Sequence, residues 1–191
     1  KPMTDKKVSF VSPDYYGNFY AAVDHLLSTG HRRIVYARMD FETYDAKVRE
    51  QAFRDAHAAH NVKFQEEQIF RKNLMEIDSS DLMDTFLAEI LPLEPDALIL
   101  GNAVAINWCI RKLREKNLRV PEDISIVGMD YWEGSQAMNP SITVIDNNYM
   151  EIGKQAVELI LNNAKTEKPQ KKEIFVKGKL IIGESCSKKQ T

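Results

Sequence analysis

Two patterns of apolar residues alternate along the chain. Short runs at 8–11, 34–39, 97–100, 124–127, 142–145, 174–176 and 180–182 are rich in Val, Ile and Leu, with a weaker run at 68–71. They read as buried strands. Between them, apolar residues recur every three or four positions, as in Tyr20, Val23, Leu26 and Leu27. Later stripes are Val48, Ala52, Phe53 and Ala56; Leu82, Met83, Phe86, Leu87 and Ile90; Ala105, Trp108, Cys109 and Leu113; and Tyr149, Ile152, Ala156, Val157 and Ile160. These read as helices with one buried face. Gly30 and Asn117 suit the left-handed position that stops a helix, and Asp78-Ser79-Ser80-Asp81 offers N-cap oxygens. Pro92 and Pro95 break the third stripe. The lysine-rich stretch 166–172 reads as an exposed loop, and Gly178 as a turn between the last two runs.

Strand–helix alternation predicts an α/β fold: a doubly wound, mostly parallel sheet flanked by helices on both faces. Sheets of this kind bind ligands outside the carboxyl ends of their strands, so the residues after each run are the candidates. They are Asp14, Tyr15 and Tyr16; Asp40, Thr43, Asp45 and, in the next helix, Arg49; Asn73 and Leu74; Asn102; and Asp130, Tyr131 and Trp132. Asp, Asn and Thr supply directed donors and acceptors, and Arg adds a planar fork. Aromatic neighbours can cover the apolar face of a sugar ring. Together they suit a neutral, polyhydroxylated ligand, although any one of them reads equally well as an N-cap or turn residue.

Composition narrows the function. The 191 residues have a net charge of −2, with 43% hydrophobic and 28% charged residues. That is ordinary for a globular protein and lacks the basic excess that grips phosphate backbones. Any DNA contact is expected from residues outside this chain, which opens at Lys1 and so reads as a fragment or a processed form. No stretch of about 20 apolar residues marks a membrane span, and no secretory signal is visible. The two cysteines, Cys109 and Cys186, read as reduced thiols in a cytoplasmic protein. No glycine-rich dinucleotide fingerprint, phosphate loop or nucleophile elbow is present. His57 and His60, three apart, lack partners with metal-ligand spacing and read as a solvated helix face. Binding without catalysis, metal or cofactor is the expectation.

Several stretches, in order and over nearly the whole chain, resemble the LacI/GalR family of bacterial transcription regulators. They are His25-Leu26 with Gly30-His31-Arg32-Arg33-Ile34; Val120-Pro121-Glu122-Asp123-Ile124-Ser125-Ile126-Val127-Gly128-Met129-Asp130; Pro140-Ser141-Ile142-Thr143-Val144-Ile145; Ile152-Gly153 with Ala156-Val157; and Leu180-Ile181-Ile182-Gly183-Glu184-Ser185-Cys186. The resemblance implies a two-lobed, periplasmic-binding-protein-like core behind a DNA-binding head. It assigns 1–144 to the C-terminal lobe, with 1–10 the incoming crossover strand. It assigns 145–164 to a helix of a largely absent N-terminal lobe, and 165–191 to strands returning to the C-terminal lobe.

The resemblance also makes Arg49, Asn102 and Asp130 effector-binding residues and puts Thr43 and Asp45 in the loop that tunes ligand choice. Leu74 stands about where relatives carry a stacking aromatic. Ala52 and Ala103 depart from the family's Gly and Asp. The implied partners are a small effector, expected to be a carbohydrate, DNA through a head outside this chain, and a second copy forming a homodimer. His31, Arg32, Arg33 and Pro121 read as holding the fold. Two rivals stay open: an exported sugar-binding protein of a transport system, and an enzyme on a flavodoxin-like scaffold.

Overall fold

The structure is a computed structural model that describes residues 8–38, 42–71, 80–165 and 171–189. Thirteen strands and helices follow the predicted rhythm among those residues. They are β1 (Phe10–Pro13), α1 (Tyr15–Ser28), β2 (Ile34–Arg38), α2 (Tyr44–Ala59), β3 (Ile69–Arg71), α3 (Ser80–Ile90) and β4 (Ala97–Leu100). Then come α4 (Ala103–Glu115), β5 (Ser125–Gly128), β6 (Thr143–Asp146), α5 (Tyr149–Ala164), β7 (Glu173–Val176) and β8 (Lys179–Ile181).

Six strands form the main sheet in the order β3-β2-β4-β5-β6-β8. All neighbours run parallel except β8, which returns antiparallel against β6. Alternation of side chains along the strands splits the core in two. Ile34, Tyr36, Ala97, Ile99 and Val127 face α1 and α2, where they meet Phe19, Leu26, Phe53 and Ala56. Val35, Ala37, Leu98, Leu100 and Ile126 face α3 and α4, where they meet Met83, Phe86, Leu87, Ile106 and Leu113. Each fully buried side chain of this size contributes about 1.5–3 kcal/mol, which is why the central strands read as unbroken apolar runs.

The two closing runs, both assigned by the resemblance to strands returning to one lobe, part company. β8 joins the main sheet, whereas β7 pairs in parallel with β1 in a separate two-stranded sheet. α5 packs against β1 on that side. The chain therefore passes between the main sheet and this smaller unit after β1, after β6 and between β7 and β8.

Local sequence explains the joints. Gly30, at φ +96°, ends α1: its N–H reaches the Leu27 carbonyl at 3.1 Å and the His31 N–H reaches that of Leu26 at 3.0 Å. Asn117, at φ 60°, ends α4 in the same way, with Leu118 N–H on the Leu113 carbonyl at 2.9 Å. Both satisfy carbonyls that a helix end leaves open. Buried His31 lies 2.9 Å from the Leu26 carbonyl through Nδ1 and 2.8 Å from Ser125 Oγ through Nε2. Arg32 donates to the Leu27 and His31 carbonyls. That junction is structural, as expected.

Gly128 is packed closely: a Cβ there would stand 2.9 Å from Val144 Cγ1. His57 is not on a solvated face. Its ring is 1% exposed, lies 4.2 Å from that of Phe53, and is held by the Phe53 carbonyl at 2.8 Å. His60 turns away to Asp24, at 2.7 Å. Both cysteines are free, Cys109 buried and Cys186 half-buried. Among the described residues no helix is long and apolar enough to cross a membrane, and no group of three potential metal ligands stands together.

Candidate ligand-binding site

β2 lies beside both β3 and β4 in the sheet, so the connections after it leave in opposite directions. Ligands collect at this kind of switch point. Here a cavity of about 340 Å³ opens over the ends of β2, β4 and β5, with Tyr15, Arg38, Thr43, Asp45, Arg49, Asn102, Asp130 and Tyr149 in its wall.

Each polar group is held by a bond that leaves part of it for an occupant. Thr43 caps α2, its hydroxyl accepting the Ala46 N–H at 3.4 Å. One turn on, Arg49 donates to Asp45 at 2.7 Å while its guanidinium lies 4.5 Å from the centre of the Tyr15 ring. The ion pair and the cation–π contact fix the fork in place. Asn102 caps α4, its Oδ1 accepting the Ala105 N–H at 2.7 Å, which leaves the Nδ2 donors. Asp130 Oδ1 accepts from Asn147 Nδ2 at 2.7 Å and from the Tyr149 hydroxyl at 2.8 Å.

Arg38, 3% exposed, ends β2 between Glu42 at 2.9 Å and Glu50 at 3.6 Å. Burial works against the Glu50 charge, but hydrogen bonds from Arg71 and Arg54, with Arg38 nearby, hold its carboxyl below the usual range. The cations of the wall are thus matched by carboxylates, and Asp130 adds a carboxylate held by the neutral donors Asn147 and Tyr149.

The tyrosines of the wall stay protonated. Burial raises Tyr15, with nearby Arg49 only partly opposing it. Burial pushes Tyr36 up to about 12. Tyr149 is raised by burial and by its bond to Asp130. The site therefore offers neutral hydroxyls, guanidinium and amide donors, and carboxylate acceptors around a small space. No nucleophile stands against a base among these groups.

A family model for the periplasmic binding protein-like domain matches residues 23–186. The chain belongs to this family. Among curated proteins it is 32% identical over 156 residues to the HTH-type transcriptional repressor PurR of Aliivibrio fischeri (strain MJ11), covering 82% of this chain and 46% of that protein. The chain spans about half the length of the curated relatives it matches. Solved structures give the same architecture. A LacI family transcriptional regulator from Enterococcus faecium with bound ribose superposes with a TM-score of 0.83 at 21% identity, over 98% of this chain and 68% of that one. The transcriptional regulator CelR in complex with cellobiose gives 0.82 at 23%, over 96% and 56%. At that identity the two likenesses speak for the fold. The resemblance to LacI/GalR regulators read from the motifs holds, and the α/β, mostly parallel architecture is that of the periplasmic binding protein-like family.

Six of the thirteen candidate residues meet in the cavity: Tyr15, Thr43, Asp45, Arg49, Asn102 and Asp130. Asp14 does not. It caps α1 through Gly17 N–H at 2.9 Å and borders a smaller neighbouring depression. β1 lies outside the main sheet, so Asp14 and Tyr15 approach from the side rather than from a fourth strand tip. Tyr131 also falls outside the cavity wall and is 39% exposed, because the chain turns away after Asp130 toward the short helical turn Glu133–Gln136. Leu74, Asn73 and Asp40 lie outside the described residues. Sequence reading missed Tyr36, Arg38, Met129 and Tyr149. A charged residue closing the apolar run of β2 was a usable signal for Arg38. Tyr149 stood in an apolar helical stripe, where nothing local distinguished it.

Proposed function

We propose that this chain senses a small neutral polyol, a carbohydrate, for a transcription regulator, binding it in the cavity at the tips of β2, β4 and β5 without transforming it. The observation that carries the reading is the convergence of Arg49, Asn102 and Asp130, from separate elements, on one cavity. Each keeps unspent hydrogen-bonding capacity, and the pairing of Arg38 and Arg49 with carboxylates disfavours an anionic occupant. The matched relatives are repressors, and two proteins of the same fold hold ribose and cellobiose.

In this reading β1, α5 and β7 are the near edge of a second lobe that covers the ligand. Met150 is 86% exposed, Ile160 67% and Val157 56% along α5, a face suited to burial against that lobe. The effector biases the lobe arrangement, and a paired subunit in the cytoplasm passes the bias to a DNA-binding head. Its effect on DNA affinity is limited to its preference for one arrangement over the other.

A thermal-shift screen of monosaccharides, disaccharides and nucleobases tests the reading. Free ligand at about 100 times its dissociation constant stabilises the folded state by about 2.7 kcal/mol, or roughly 5–10 °C for a chain of this size. Arg49→Ala and Asp130→Ala each remove that rise while still melting cooperatively. A response to nucleobases alone would replace the carbohydrate. A sugar response untouched by both substitutions would reject the site.

A further inference from the structure

Asp130 is tied to more than the cavity. Buried Asn147, 2% exposed, donates to Asp130 Oδ1 at 2.7 Å and to the Met129 carbonyl at 3.3 Å. Its own Oδ1 accepts from Asn18 Nδ2 at 3.0 Å. Asn18, 8% exposed, in turn accepts the Gly178 N–H at 2.8 Å. Every donor points the same way, from the Gly178 amide through two carboxamides to a carboxylate. Such chains polarise one another, and the terminal charge strengthens each link.

The three residues that feed Asp130 occupy the three places where the chain passes between its two sheets. Asn18 lies in the first turns of α1 after β1, Asn147 joins β6 to α5, and Gly178 joins β7 to β8. The packing there is closed: a Cβ on Gly178 would collide with the Asp146 carbonyl and approach Asn18 Nδ2 to 2.8 Å.

We infer that Asn147 and Asn18 are positioning residues that connect Asp130 to the crossing at Gly178, so that the state of the Asp130 carboxylate sets the strength of the hydrogen bond holding the three crossings together. Asn147 and Tyr149 saturate Oδ1, and among the described residues Oδ2 accepts no hydrogen bond, which leaves it to the occupant. A ligand donor on Oδ2 draws charge away from Oδ1 and loosens the chain; an empty cavity leaves it taut. Only this last step rests on the cavity being an effector site.

The test is amide hydrogen exchange by NMR on this chain, read at Gly178, with the Ile126 amide of the main sheet, which donates to the Ser185 carbonyl, as control. Asp130 bonds to neither partner of the Gly178 amide hydrogen bond, and Asn147 bonds to one of them, Asn18, on the side away from Gly178. Asn147→Ala and Asp130→Ala are each expected to speed Gly178 exchange about fivefold or more, the worth of one net hydrogen bond, with Ile126 unchanged. Asp130→Asn keeps an acceptor oxygen without the charge, and gives a smaller acceleration that a purely steric role would not produce. Should Asn147→Ala fail to fold, the two Asp130 variants carry the test. Gly178 exchange that responds to Asn18→Ala but stays within twofold in both Asp130 variants would overturn the inference. A responsive Gly178 in a protein that binds no sugar or nucleobase would sink the effector reading and leave the connection standing.

Discussion

Asn102 shows how one side chain holds the fold and equips the site. Its Oδ1 caps α4 on the Ala105 N–H, and the cap fixes the direction in which Nδ2 is offered to the cavity. The two tasks separate by substitution. Asn102→Ala loses the cap at a cost of about 1 kcal/mol, a melting temperature roughly 2–4 °C lower. Asn102→Asp keeps a capping oxygen but has no donor. It is expected to melt within about 1 °C of the parent chain and to lose the ligand response, and equal ligand responses in Asn102→Asp and the parent would remove Asn102 from the site. The same duality limited what could be read in advance. Asp14 and Asn102 carry one signal in the sequence, a polar residue between an apolar run and a helical stripe, and both are caps. Only the placement of β1 outside the main sheet separates the cap that faces the cavity from the one that does not.

At the scale of elements, strands and helices were legible because burial on both faces of the sheet imposes its own pattern. Ile34 to Arg38 and Ala97 to Leu100 are buried throughout, so their apolar runs could be read without knowing their neighbours. Pairing was not legible for β7. Its four residues meet β1 in parallel, Phe10 opposite Glu173, a contact so distant in sequence that no local pattern encodes it. α5 divides its apolar residues in a way that burial explains. Leu159 is 9% exposed and faces this chain, whereas Val157 and Ile160 face outward. In this chain Leu159→Ala is expected to cost about 2–5 kcal/mol and Val157→Lys or Ile160→Lys no more than about 0.5 kcal/mol, measured by urea unfolding. A large loss for the two lysine variants would mean that their face is already covered here and is not waiting for a second lobe.

For the whole molecule, the arrangement of layers is what creates the cavity. Two helices on each face of the sheet bury the strands, and the reversal of strand order beside β2 opens the cavity where the helix caps and strand tips coincide. The two-stranded unit then sits where a movement could be linked to occupancy. The account stands on that cavity being the place of recognition. Its most direct test is an NMR titration of isotope-labelled chain with ribose, cellobiose and adenine, which detects even millimolar affinity. The account predicts saturable shifts at the Arg49 side chain, the Asn102 side-chain amide and the Gly101 and Asp130 backbone amides, with the added sugar recovered unchanged and the shifts gone in Arg49→Ala. Shifts gathered instead around the groove of Arg114, Leu118 and Pro140 on another surface, or a sugar consumed during the titration, would contradict it.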